Sequence, residues 1–349
     1  MLNLHHGDVI WRHTGFLHQL KPPSVKSAQN VPAYMVGNLP QFAHPFSLLR
    51  PTGILPMKRF LPLLALIALL FATHVPAQPA PPLKPLEFGV GLFQPDKEKN
   101  DATYRPLADY LAKALGRPVR LRTVDTWEGL AKSLASGETD MALMGPWGYV
   151  LANHQAGAEA VATILYQGKP EYFAVMVTGP KSGINRIDDM KGRTFAFGDK
   201  GSTSGYLIPN HEFQKRGIDP DKFFSRVIYT RHQAIETQVT RGELDAGADY
   251  NRNRDAMIAE GLIRAADSRI IWTSDPLPND AFAVSKDLAK DKALMARLVN
   301  ALEDIGPLLK EQPRLLPANY TGFVATTNAY YKPIRDAGLE SGKLTPVRK

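Results

Sequence analysis

The apolar positions along the chain change period repeatedly, and this pattern predicts alternating strands and helices. Short apolar runs at 88–93 and 141–144 are typical of buried strands. Between them, residues 104–115 place Leu107 and Leu111 on one face of a helix. Because strands and helices alternate in this way, we expect largely parallel sheets that are covered by helices on both faces.

One sequence motif occurs twice, about 105 residues apart. A predicted helix ends in Gly-Glu-x-Asp and is followed at once by an apolar strand, first at 137–143 and again at 242–248. The repetition predicts two units of like topology. Chance similarity is the alternative, because glycine commonly ends helices.

The first 77 residues do not look like part of a folded domain. Residues 1–56 show no sustained helical or strand period, whereas Met57-Lys58-Arg59 precedes an apolar run at 61–72 and then Val75-Pro76-Ala77. This order is typical of a secretory signal peptide, which we place at 57–77. We therefore expect translation to start at Met57, residues 1–56 to be a misassigned, disordered upstream segment, and the mature chain to begin near Gln78 in the periplasm. An internal membrane anchor is the alternative, but the apolar run is short for one.

Composition changes this picture only slightly. The chain has 349 residues, no cysteine and a formal charge of +8. The 1–77 segment carries much of that excess, so the remaining residues have a net charge of only +3. This balance gives no reason to expect a nucleic-acid partner. Without cysteine, the mature chain has neither a disulfide nor a lipid-bearing thiol, and we expect no membrane insertion.

The clearest candidate for chemistry is the segment Gly201-Ser202-Thr203-Ser204-Gly205. It follows a predicted strand and precedes a predicted helix, so its backbone N–H groups, its hydroxyls and the helix dipole can converge on one small oxyanion. An ordinary hydroxyl N-cap is the alternative. Pro209 removes a backbone donor one turn into the helix and predicts a short or kinked first turn.

Several sequence motifs together resemble those of one protein family. They are the segment Gly201–Gly205, called the hydroxyl turn below, together with Pro209, the two Gly-Glu-x-Asp motifs, Gly145-Pro146 and the stretch from Trp272 to Asp280. Over about residues 86–310 the chain resembles periplasmic phosphonate-, phosphite- and phosphate-binding proteins of ATP-driven importers.

The resemblance implies a two-lobed α/β fold, the type II periplasmic binding protein. Each lobe contains a mixed, parallel-type sheet flanked by helices, and two hinge crossovers join the lobes. We expect the crossovers near 178 and 277. The first lobe would then comprise 78–177 plus 278–349, and the second lobe 178–277.

The resemblance also implies the ligand-binding residues. The anion's oxygens would accept hydrogen bonds from the hydroxyl turn, from a histidine at a helix start and from a tyrosine of the opposite lobe. At the matching positions stand Ser202, Thr203, Ser204, His232 and Tyr172.

Three further positions are expected to determine specificity. Asp280 would accept a hydrogen bond from a protonated ligand oxygen, which discriminates against sulfate. Trp127 stands where the family commonly has tyrosine, and Arg252 stands where binders of aminoalkyl phosphonates have glutamate. Arg252 would repel an ammonium, so we expect phosphate, phosphite, methylphosphonate or a carboxylated phosphonate rather than 2-aminoethylphosphonate. Each predicted site residue also has an ordinary explanation as a cap, a packed aromatic or a solvated charge.

The predicted function is that of a solute-binding component of an ABC transporter. The expected partners are a small oxyanion and an inner-membrane permease with its ATPase. We expect a monomer without metal or other cofactor, and no enzymatic activity. One alternative is a soluble sensor subunit that presents its ligand to a membrane histidine kinase. Another is a hydrolase using Ser204, His232 and Asp280, although the turn lacks the Gly-x-Ser-x-Gly spacing.

Overall fold

The computed structural model describes residues 83–346. The predicted start at Met57, the signal peptide at 57–77 and the upstream segment 1–56 lie outside these residues. Within residues 83–346, no helix has the length and apolar character needed to cross a membrane.

Strands and helices alternate along most of the described chain. The strands are β1 Leu86–Gly91, β2 Val119–Val124, β3 Met141–Met144, β4 Glu159–Tyr166, β5 Glu171–Tyr172, β6 Ala174–Thr178, β7 Thr194–Phe197, β8 Arg226–Tyr229, β9 Ala246–Tyr250, β10 Arg269–Thr273, β11 Leu277–Pro278, β12 Ala281–Val284 and β13 Tyr320–Ala325. The α-helices are α1 Lys97–Leu115, α2 Trp127–Ser136, α3 Pro146–Ala156, α4 Ile208–Lys215, α5 Pro220–Phe223, α6 His232–Arg241, α7 Asn251–Ala259, α8 Lys292–Glu303, α9 Ile305–Leu308 and α10 Lys332–Glu340.

The first sheet has six strands in the order β13-β4-β12-β3-β1-β2. Strands β2, β1 and β3 run parallel, whereas β12 pairs antiparallel with both β3 and β4. Helices lie on both faces: Leu107 and Leu298 belong to one buried cluster, and Leu130 and Ile334 belong to another. The sheet is therefore covered on both sides, as the alternation predicted, but it is mixed rather than largely parallel, because β12, β4 and β13 pair antiparallel.

The second sheet has five strands in the order β10-β6-β9-β7-β8. Its parallel part, β8-β7-β9, repeats the β2-β1-β3 arrangement of the first sheet, and β6 pairs antiparallel with β9. The two copies of the repeated motif occupy equivalent positions in the two sheets. Gly137 and Gly242 each end a helix, with φ of 77° and 74°, directly before β3 and β9. Glycine is favoured at such left-handed positions.

The chain changes sheet twice, and the two connecting segments lie side by side. Strand β5 pairs antiparallel with β11, with Tyr172 opposite Leu277. The first change of sheet lies earlier than the predicted residue 178, because β6, which ends at Thr178, pairs with β9 and β10 of the second sheet. The second change lies between Thr273 and Ala281, around the predicted residue 277.

Candidate functional site

The hydroxyl turn after β7 is a tight, buried structure. Ser202 caps the following helix, since its Oγ accepts a hydrogen bond from Gly205 N at 3.0 Å. The first turn, Thr203–Leu207, is π-helical, and Gly198 N rather than a helical N–H donates to Gly205 O. Pro209 has no N–H to give that carbonyl, so the proline accounts for the irregular turn that the sequence predicted.

The two glycines of the turn allow close approach. A Cβ at Gly205 would lie 2.7 Å from His232 Cε1, and a Cβ at Gly201 would lie 2.3 Å from Glu128 N. Thr203 connects the turn to α3, the helix that follows β3 of the first sheet. Its Oγ1 accepts a hydrogen bond from Trp147 N at 2.8 Å. The turn is thus fixed between groups from both halves of the chain.

His232 begins α6 and is buried against the turn. Its Nε2 lies 3.1 Å from Ser202 Oγ, and its Nδ1 lies 2.8 Å from Asp249 Oδ1. The Tyr250 ring packs against the imidazole in a T-shaped arrangement, with ring centroids 4.8 Å apart. Burial lowers the pKa of His232 to about 4, although the nearby Glu236 carboxyl acts in the opposite direction. His232 is therefore a buried side chain with polar partners rather than a solvated charge.

Arg252 lies in the first turn of α7, with only 4% of the residue exposed. Its Nη2 is 3.1 Å from Asp280 Oδ2, and its Nη1 donates to Asn279 Oδ1. The guanidinium carbon lies over four tyrosine rings, at 4.6 Å from the Tyr172 centroid and at 5.5–5.6 Å from the others, which are Tyr166, Tyr250 and Tyr320. Arg252 is therefore a buried, paired cation rather than a solvated charge.

Tyr172 and Trp127 close the site from the side of the first sheet. Tyr172 is buried on β5 at the change of sheet, and its hydroxyl faces the hydroxyls of Thr203 and Ser204. Trp127 begins α2 and packs edge-on against Phe93, with ring centroids 4.7 Å apart.

All eight predicted site residues line one small cavity of about 20 Å³. Its lining consists of Phe93, Trp127, Gly145, Tyr172, Ser202, Thr203, Ser204, His232, Tyr250, Arg252 and Asp280. Sequence reasoning missed Phe93 and Tyr250, which stand at or just after the carboxyl ends of β1 and β9. A signal for them was available, because ligands of open α/β sheets bind outside the carboxyl ends of the strands.

The Ser204–His232–Asp280 triad considered for a hydrolase is not assembled. The ring nitrogens of His232 face Ser202 and Asp249 instead. Asp280 is occupied by Arg252 through Oδ2.

Residues 92–331 of this chain match the family of periplasmic substrate-binding proteins of phosphonate ABC transporters. The chain belongs to this family. Among curated relatives, the phosphonates-binding periplasmic protein of Escherichia coli is 25% identical over 80% of this chain and 82% of its own length. The phosphate-import protein of Mycolicibacterium smegmatis is also 25% identical, over 67% of this chain and 79% of its own.

A solved structure shows the same fold. The Prochlorococcus marinus protein determined in complex with methylphosphonate superposes with a TM-score of 0.67 at 20% identity, covering 75% of this chain and 99% of that one. The type II periplasmic binding protein fold predicted from the sequence is thereby confirmed. As a family member, the protein is a periplasmic substrate-binding component of an ABC transporter, acting with a membrane permease and its ATPase. The family gives no support to the alternative of a sensor subunit.

Proposed function

We propose that the cavity binds the head group of a small, unsubstituted phosphorus oxyanion, namely phosphate, phosphite or methylphosphonate. The observation that carries this proposal is the convergence of three hydroxyls, one imidazole and one tyrosine on a single cavity of about 20 Å³. Hydroxyl and N–H donors at a helix start suit an oxyanion. Two relatives support the same ligand class, since one is a phosphate-import protein and the other was solved in complex with methylphosphonate.

Each predicted residue has a place in this proposal. Donors to the anion are Ser202, Thr203, Ser204 and Tyr172, and His232 acts on the anion through Ser202, because its two ring nitrogens face Ser202 and Asp249. Asp280 accepts from the ligand's protonated oxygen through Oδ1, which has no hydrogen bond within residues 83–346, while Oδ2 is paired with Arg252. Arg252 offsets the charge of Asp280 and excludes a cationic tail, and Trp127 closes the cavity.

Replacing Ser202 by alanine should weaken the binding of phosphate and methylphosphonate by a similar factor, because the only part of either ligand that the hydroxyl would contact is the head group that both share. A hydrogen bond to a charged acceptor is worth about 1.5–3 kcal/mol, which corresponds to roughly 10- to 150-fold in Kd. Isothermal titration calorimetry checks this result. Ser341→Ala is the control, since Ser341 bonds only to backbone carbonyls near the end of α10. Full affinity in Ser202→Ala would contradict the proposed site, and release of product from any ligand would contradict a purely binding role.

We further propose that the two sheets belong to lobes that close on the ligand by a hinge motion at β5 and β11. The donors come from both halves, and the cavity of about 20 Å³ has room for little more than one water molecule. Ligand entry therefore requires the cleft to open. Small-angle X-ray scattering should show a smaller radius of gyration with saturating phosphate than without it. Identical profiles would argue against closure, and a concentration-dependent radius would argue against a monomer.

We also propose that export proceeds through a signal peptide at 57–77, with translation from Met57. The supporting observation is the order of two basic residues, an apolar run and Val75-Pro76-Ala77. N-terminal sequencing of the protein from the periplasm should then give a chain that begins near Gln78. Recovery of a periplasmic protein that retains residues 1–56 would overturn this proposal.

A further inference from the structure

Two buried carboxyl groups stand behind His232, on the side away from the cavity. Glu236 and Asp249 are both 0% exposed. Glu236 follows His232 by four residues on α6, so the two side chains share one face of the helix. Asp249 on β9 faces both of them. Polar groups therefore follow one another from Glu236 past Asp249 and His232 to Ser202 at the cavity wall, and both Glu236 oxygens, Asp249 Oδ1 and His232 Nδ1 lack a partner with hydrogen-bond geometry within residues 83–346.

The proton count of these groups determines whether the site can hold an anion. Ser202 has one hydroxyl proton, and its Oγ already accepts from Gly205 N. If His232 Nε2 carries no proton, it takes the Ser202 proton as an acceptor. If Nε2 carries a proton, it donates to Ser202, and the hydroxyl proton is free for the ligand. Binding of an oxyanion therefore favours a protonated Nε2.

The net charge points the same way. Two facing buried carboxyls cannot both ionise, so one of them keeps a proton. A neutral imidazole carries one ring proton, and with it Glu236, Asp249 and His232 together have a net charge of −1. With a second proton, shared between His232 Nδ1 and Asp249 Oδ1 across 2.8 Å, the charge is zero and Nε2 is a donor. A buried negative charge beside the cavity would repel the ligand.

The surroundings of the three groups support this proton count. Burial raises the pKa of Glu236 to about 9 and that of Asp249 to about 7, whereas it lowers the pKa of His232 to about 4, so the second proton lies closer to Asp249 and the imidazole is in its neutral Nε2–H form. Besides these two carboxyls, His232 is approached by the Asp199 carboxyl. The carboxyls themselves face Asn253, Ser268 and the Arg254 guanidinium, the last of which is held on the Ser268 carbonyl and hydroxyl.

We propose that Asp249 and Glu236 are positioning residues that load His232 with a proton, so that the oxyanion is bound together with one proton shared by His232 and Asp249. The protons balance as follows. The empty site takes one proton from solvent and Nε2 becomes N–H, while no covalent bond to the ligand is formed. Glu236 stays protonated and donates to Asp249. This inference rests on the proposed binding of a phosphorus oxyanion beside Ser202.

The test is the number of protons taken up when phosphate binds, measured by titration calorimetry in buffers of different ionisation enthalpy. For the unaltered protein, uptake by the protein should rise from almost none at pH 6 to about one at pH 8. The affinity should then fall by up to about tenfold per pH unit above 7. The ligand's own titration is common to all variants and cancels when they are compared.

Two isosteric variants separate the roles. Asp249→Asn removes the charge that the proton neutralises, so its uptake at pH 8 should be lower by about one proton than that of the unaltered protein. Glu236→Gln keeps a neutral donor to Asp249, so its uptake should equal that of the unaltered protein. Equal uptake in all three proteins would overturn the inference while leaving the anion site intact. Absence of phosphate binding to the unaltered protein at every pH, with phosphite and methylphosphonate also failing, would overturn the proposed function instead.

If Asp249→Asn does not fold, ¹⁵N spectra of His232 in the unaltered protein decide the question. A protonated Nε2 is expected in the phosphate complex at pH 8, and an unprotonated Nε2 is expected in the empty protein. An unprotonated Nε2 in the complex would overturn the inference.

Discussion

Replacing Arg252 by glutamate is expected to lower the affinity for methylphosphonate by at least about 100-fold. The variant places a second carboxylate beside Asp280, where the structure has an ion pair with Nη2 and Oδ2 3.1 Å apart. Breaking one partner of a buried pair costs about 3–5 kcal/mol, because the remaining charge is left uncompensated. The pair of carboxylates would also repel the anion from the cavity.

The same variant should favour 2-aminoethylphosphonate relative to methylphosphonate. Its ammonium could lie between the introduced glutamate and the tyrosine rings that now surround Arg252, which are suited to a cation. We expect the ratio of the two affinities to change by about tenfold or more, equivalent to about 1.4 kcal/mol. Titration calorimetry with both ligands measures this ratio.

Two controls make the result interpretable. Arg226→Glu makes the same charge change at an exposed position of β8 and should leave both affinities unchanged. Arg252→Gln removes the positive charge without adding a negative one, so it should weaken methylphosphonate binding without the gain for the ammonium ligand. An unchanged ratio in Arg252→Glu would mean that the ligand's tail does not point toward this residue.

The sequence predicted the fold well because its signals are local. Strand and helix periods, the glycines that end α2 and α6, and the turn with Pro209 are all set by neighbouring residues. The exact change of sheet before β6 was missed, because an apolar run does not reveal which sheet it joins. That choice depends on pairing with β9, far along the chain.

The candidate site could be predicted only in part, for the same reason. The hydroxyl turn is contiguous in sequence, but the tyrosines around Arg252 come from four separate strands. Asp249 and Glu236 were missed altogether. A signal existed for Asp249, since an aspartate within an apolar strand must be paired when it is buried. Its partner His232, however, lies on α6, and only folding places that helix opposite β9.

If Asp280 accepts from a protonated ligand oxygen as proposed, replacing it by asparagine should reverse the expected preference for phosphate over sulfate. The amide oxygen of the variant can still accept from Arg252, which keeps the contact now made by Oδ2. The amide N–H₂ would then take the place of Oδ1 and turn an acceptor into a donor. Phosphate would lose the partner of its protonated oxygen, whereas sulfate, which has no proton to give, would gain a donor.

The expected change in the phosphate-to-sulfate affinity ratio is about 100-fold, since each hydrogen bond to a charged group contributes about 1.5–3 kcal/mol. The loss of one negative charge beside Arg252 should strengthen the binding of both anions, and this shared gain cancels in the ratio. Competition between the two anions, followed by calorimetry, measures it. Asp275→Asn, at an exposed position just before β11, is the matched control and should leave the ratio unchanged. If Asp280→Asn also leaves the ratio unchanged, Asp280 serves only to hold Arg252, and the rejection of sulfate must arise from the hydroxyl turn.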